Sequence, residues 1–120
     1  MEKQMSPHMI RTTLQQYCGT EYYYQEISTG VLYTDGIAYM VMACDAKRIL
    51  RDVATKAKHL ACRNSFVRIT LTVDNRKGLL EFTDGNGKML HEHVYQDTDF
   101  PLEILTMYFV DNTLLLPSEY

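Results

Sequence analysis

Tryptophan is absent from the 120 residues, and so is any window approaching the ~18 uncharged apolar residues of a membrane span. Nothing is expected to cross a membrane. The three cysteines, Cys18, Cys44 and Cys62, are odd in number and without CxxC spacing. That argues against a disulfide framework and for reduced thiols. The opening MEKQMSPHM carries charge where an export signal needs an apolar core, so the expected compartment is the cytoplasm. Catalytic and cofactor motifs are missing too. The Gly-x-Gly at Gly85 and Gly87 opens no helix that could offer its dipole to a phosphate. The run from Asp84 to Lys88 begins like a calcium loop but lacks the glycine position and closing Glu, and reads as a hairpin turn. No repeat, linker or low-complexity tract divides the chain, which is expected to be a single domain over 1–120.

What is present is an ordinary globular composition, 46% apolar and 22% charged, with a polarised charge order. Residues 47–77 hold nine Lys/Arg against Asp52 and Asp74, a net +7, whereas residues 78–120 hold Lys88 alone against eight acids, a net −7. Such a division either pairs with itself in the fold or steers partners.

The stretch 45–61 organises the rest. Ala46, Ile49, Leu50, Val53, Ala54, Ala57 and Leu60 recur at helical spacing, with Lys47, Arg48, Arg51 and Lys58 on the opposite face. Asp45 is the expected cap of this helix. Ser6-Pro7 followed by Ile10, Leu14 and Tyr17 predicts a short helix over 7–18, closed by Gly19. Residues 21–27, 31–33 and the apolar run 37–44 read as a three-stranded meander. In 66–73, Val67, Ile69, Leu71 and Val73 alternate with Phe66, Arg68, Thr70 and Thr72, the clearest strand signal in the chain. Further strands are expected at 79–83, 89–95, 104–110 and 113–116. Two helices and about eight short strands without βαβ alternation predict an α+β fold: a mostly antiparallel sheet packed against one long amphipathic helix, with a short N-terminal helix.

Gly19-Thr20-Glu21 with Tyr23, Leu32-Tyr33-Thr34-Asp35-Gly36, Thr70-Leu71-Thr72-Val73, Asp84-Gly85-Asn86-Gly87, Asp99-Phe100-Pro101 and the terminal run from Leu114 to Tyr120 (LLLPSEY) carry a resemblance. From about residue 14 to the end, the chain resembles an uncharacterised family of short bacterial proteins, a domain of unknown function. The resemblance implies no activity and no site residues. Members look like genes of chromosomes, plasmids and phage-like elements, which implies an accessory or counter-defence role. The chain departs from the family's aromatic-rich start of the central helix, reading Ala46-Lys47-Arg48 there.

His91 and His93 fall on one face of a strand but lack a third ligand, so no metal and no cofactor is expected. Cys62 lies three residues after His59, with no orienting acid or oxyanion donor in view, and no catalytic residue is assigned. The leading expectation is a non-catalytic interaction protein: an accessory or inhibitor of a mobile element acting on a host protein or a ribonucleoprotein such as a CRISPR effector, which makes it an anti-CRISPR. Two surfaces are candidates for that contact. One is the basic face of Lys47, Arg48, Arg51, Lys58 and Arg63, with possible RNA contact, and the other is an acidic, phosphate-mimicking surface of Glu92, Asp97 and Asp99. The alternative is direct RNA or DNA binding through the basic face, and an enzyme ranks last.

Overall fold

The computed structural model describes residues 6–120; the part of the export expectation that rests on residues 1–5 lies outside them. Seven strands form one sheet: β1 (Tyr23–Glu26), β2 (Val31–Thr34), β3 (Phe66–Asp74), β4 (Lys77–Thr83), β5 (Met89–Tyr95), β6 (Ile104–Val110) and β7 (Thr113–Leu115). Their spatial order is β1-β2-β7-β6-β3-β4-β5. Every contact is antiparallel except β2 with β7, which is parallel. Three helices, α1 (Pro7–Leu14), α2 (Asp35–Cys44) and α3 (Lys47–Leu60), complete the α+β fold.

The alternation read in β3 sets the layer. Val67, Ile69 and Leu71 are fully buried, and the strand register aligns them with Leu80 and Phe82 of β4 and with Leu105, Met107 and Phe109 of β6. Ile49, Leu50, Val53, Ala54 and Ala57 of α3 join the same core as these residues. The opposite face of these strands, including Arg68, Thr70, Thr72, Glu81 and Thr106, contains no fully buried side chain. The described residues therefore form two layers and leave one sheet face open, and on that face Phe66, Tyr108 and Tyr120 cluster with ring centroids 4.9 to 5.9 Å apart.

The helical half departs from the sequence reading in four places. Residues 37–44 are not a strand but most of α2, so the meander reduces to the β1–β2 hairpin and the strands among the described residues number seven. Ile37, Met40, Val41 and Cys44 are buried at helical spacing, while the intervening Ala38, Tyr39, Met42 and Ala43 are apolar as well and hide the period. Three helices of 8, 10 and 14 residues thus replace one long and one short helix. Asp45 does not cap α3; it ends α2 in the left-handed region at φ 52°, and α3 starts after Ala46 with no side-chain cap. Finally, α1 stops at Leu14, four residues short of the predicted end.

The terminal and Thr-Asp-Gly motifs, some 80 residues apart, meet in space. The Glu119 carboxylate accepts from the Thr34 hydroxyl (2.6 Å) and the Gly36 N–H (3.0 Å), donors at the start of α2, and from the Leu116 N–H (2.9 Å) of its own terminal turn. Beside it, Asp35 accepts from the Glu21 N–H at 2.9 Å and the Tyr24 hydroxyl at 3.1 Å. These bonds, the Glu21 N–H foremost, hold the Asp35 carboxyl below its ordinary range. These motif residues are thereby accounted for as architecture.

Candidate functional site

Strand order determines what stands beside what. β4 and β5 carry the sheet past β3 to its margin, and α3 lies over this side with its exposed flank toward β5. On α3 the buried stripe occupies one side, and Asp52 and Lys56, one helical turn apart, are half-buried at its border. On β5 the side chains of His91, His93 and Tyr95 point to the helix side, because they pair with Phe82, Leu80 and Gly78. The two elements are tied at one point, where the Tyr95 hydroxyl donates to Asp52 Oδ2 at 2.6 Å. Burial, followed by this bond to a carboxylate, raises the tyrosine pKa well above its ordinary value.

On either side of that tie the margin is hollow. A hollow of about 210 Å³ lies between Arg51, Asp52 and Lys56 of α3 and Phe82, His91 and His93 of the sheet. A second, of about 680 Å³, lies beyond Tyr95 and is lined by Asp45, Arg48, Arg76, Asp97 and Asp99. His93 borders both, its ring edge-on to Tyr95 at 4.7 Å. The two hollows adjoin at His93 and together make a groove along the sheet margin that the Tyr95–Asp52 bond crosses. Burial first, then the Lys56 and His93 charges, lowers the His91 pKa. The neutral imidazole is therefore favoured, and the neighbouring lysine opposes a bound cation. Among the described residues no set of three His, Cys, Asp or Glu is placed to hold a metal ion.

The groove gathers residues from both halves of the charge division. Arg48 and Arg51 line it, as do Asp97 and Asp99. Asp97 pairs with Arg76 at 2.7 Å, both side chains well exposed, which holds the Asp97 carboxyl below its ordinary range. The other sequence candidates stand elsewhere. Lys58, two turns further along α3, donates from Nζ to the Thr29 carbonyl in the β1–β2 turn, and Lys47 and Arg63 are exposed away from the groove lining. Glu92 points to the open sheet face, directly across from Glu81. Asp52, Lys56, Arg76 and Tyr95 were not singled out by the sequence. Their only signal was membership of the elements that turn out to be neighbours.

Two other features lie outside the groove. A hollow of about 320 Å³ between α1 and the start of β6 is lined by Leu14, Leu102, Ile104, Leu116 and Pro117, with Arg11 its one charged residue, and offers shape with little chemistry. Of the thiols, Cys18 and Cys62 are exposed and Cys44 is buried, its pKa pushed up to about 12 by desolvation.

Tyr95→Phe is expected to cost about 1.5 kcal/mol, the lower end of the range for a hydrogen bond to a charged group because Asp52 is only half-buried, read in urea unfolding. The raised tyrosine pKa fixes the sign with pH. The contribution is fully present below the ordinary value of 10.0, and it is lost as pH rises through the higher folded value. The difference between wild type and Tyr95→Phe should therefore be constant through neutral pH and shrink only in strong alkali.

The chain belongs to a family of unknown function, DUF6876, whose family model matches residues 8–120, from within α1 to the last residue. No curated protein and no solved structure matches it.

Proposed function

We propose that this family member is a non-catalytic interaction protein that seats a macromolecular partner in the groove between α3 and β5. On this reading it acts as an accessory or inhibitor protein on a host protein or ribonucleoprotein, a CRISPR effector being one such target. The observation that carries the reading is that residues of opposite sign from opposite halves of the chain meet along the groove, Arg48 with Asp97 and Asp99 in the larger hollow and Arg51 in the adjoining smaller one. A groove bearing both signs suits a protein surface, where each charge selects its complement and like charges reject wrong partners. It suits a phosphate backbone less well, since Asp45, Asp97 and Asp99 would repel the strand that Arg48 attracts.

The test is a pair of charge reversals, Arg48→Glu with Arg51→Glu and Asp97→Lys with Asp99→Lys, each used as bait in affinity capture from the native host. Exposed substitutions away from the core usually move stability by about half a kcal/mol, so both variants should melt near wild type. Both are expected to lose the partner that wild type retains. Direct nucleic-acid binding predicts a different pattern: the aspartate reversal would tighten binding to naked RNA or DNA, and wild-type affinity would fall steeply with salt. Full retention of the partner by both folded variants would overturn the groove reading.

A further inference from the structure

β5 is the last strand of the sheet, and its main-chain pattern can be read from the neighbouring hairpin. Asn75 and Arg76, both at positive φ, form a two-residue turn closed by the Asp74–Lys77 pair. Such turns close on a hydrogen-bonded pair, and bonding then alternates along each strand. Leu79 and Glu81 accordingly bond back to β3, while Gly78, Leu80 and Phe82 bond forward to Tyr95, His93 and His91. The N–H and C=O groups of Glu92 and Val94 are thereby directed outward from the sheet. Val94 is 51% exposed, and Glu92 is exposed too. Their position is that of a strand awaiting a neighbour, directly under the exposed flank of α3.

We infer that the partner supplies that neighbour: an extended segment pairs with the outer edge of β5 and lowers alternate side chains into the groove. The inference rests on the groove reading above and names the chemistry of its occupant. In an added strand, the side chains on the helix side fall opposite His91, His93 and Tyr95, at intervals of two residues. The position beside His91 enters the smaller hollow, where Arg51 and Lys56 outnumber Asp52, and this favours Asp or Glu. The position beside Tyr95, four residues along, enters the larger hollow, where Asp45, Asp97 and Asp99 outnumber Arg48 and Arg76. That hollow favours the longer Lys or Arg. The middle position faces His93, between the two. The ligand class is therefore a β-forming peptide with one acid and one base four residues apart.

The probes are four synthetic nine-residue Thr/Val peptides, labelled for fluorescence anisotropy. The first carries Glu and Lys four residues apart, the second two Glu and the third two Lys. The fourth is the Glu/Lys peptide with backbone N-methyl groups on the alternate residues that would bond to β5. The Glu/Lys peptide is expected to bind wild type at least tenfold more tightly than either like-charged peptide, and N-methylation should abolish its binding. Val94→Pro removes only an outward N–H, a change edge strands accommodate, and should lose the Glu/Lys peptide while remaining folded by circular dichroism. Equal affinity for all three charge patterns, or undiminished binding after N-methylation, would overturn strand addition whatever becomes of Val94→Pro. So would a wild-type dimer in sedimentation that Val94→Pro dissolves, because the edge would then belong to a second copy. The parent reading fails separately: if the Glu/Lys peptide does not bind while the charge reversals still strip the captured host partner, strand addition falls and the groove stands.

Discussion

Ile69→Ala is expected to lower the unfolding free energy by about 2 to 5 kcal/mol, the range for truncating a large aliphatic residue in a packed core. Ile69 has no exposed surface, and it stands on β3 between Phe82 of β4 and Met107 of β6. Removing its branched side chain opens a void between the buried Phe82 and Met107, whose strands are held in register on both sides. Leu50→Ala, on the α3 side of the same layer and 6% exposed, belongs to the same range, toward its lower end because a helix can settle onto the sheet. A domain of this size loses roughly 4 °C per kcal/mol, so each variant should melt visibly below wild type in a circular dichroism scan. Thr70→Ala, on the open face between Arg68 and Thr72, supplies the contrast, with an effect within about half a kcal/mol. Were Ile69→Ala and Leu50→Ala both to melt with Thr70→Ala, the helix layer would not be packed on the face described.

The sheet was legible because its strands are amphipathic. The expected bounds of 89–95 and 104–110 coincide with β5 and β6, and the alternation of 66–73 identified the buried face of β3. The 45–61 helix differs from α3 by one or two residues at each end, as its polar face announced. What failed was the run 37–44, where Met42 is 66% exposed yet as apolar as buried Met40. A period cannot be read where both faces are written in the same residue types. The capping signal was present nonetheless: Thr34 accepts from the Ile37 N–H, and Asp35 stands in the first turn.

The groove was legible only in pieces. Arg48, Arg51, Asp97 and Asp99 were each singled out by charge, but as two rival surfaces. Their meeting depends on β5 being the strand at the margin beside α3, and that follows from the order β6-β3-β4-β5, which no local pattern encodes. Lys58 shows the converse. It shares the charge and roughly the helix face of Arg51, yet it reaches the β1–β2 turn instead, because a long side chain at the border of a stripe takes the nearest acceptor.

Glu119→Ala is expected to cost about 2 to 4 kcal/mol, far more than a surface substitution usually does. Its carboxylate takes three hydrogen bonds, and bonds to a charged group are worth about 1.5 to 3 kcal/mol singly but less than their sum together. One donor, the Thr34 hydroxyl, belongs to a residue only 2% exposed, so solvent cannot readily replace what is lost. Glu119→Gln keeps the shape and an acceptor oxygen but loses the charge that favours the start of α2, and should fall between wild type and Glu119→Ala. Gly36→Ala tests the same contact from the other side. A Cβ there would lie 2.6 Å from Leu116 Cδ1 and 2.8 Å from the Glu119 carboxyl, and relief requires moving a group that three donors hold in place. Alanine is the better helix former by about 1 kcal/mol, yet the displaced carboxylate should outweigh that and leave the variant destabilised. The two substitutions act on one contact, so the double variant Gly36→Ala with Glu119→Ala should be more stable than the sum of the singles predicts, by at least about 1 kcal/mol in a denaturant-unfolding cycle. Strict additivity would mean that Gly36 and Glu119 do not meet, and the tie between the start of α2 and the end of the chain would have to be abandoned.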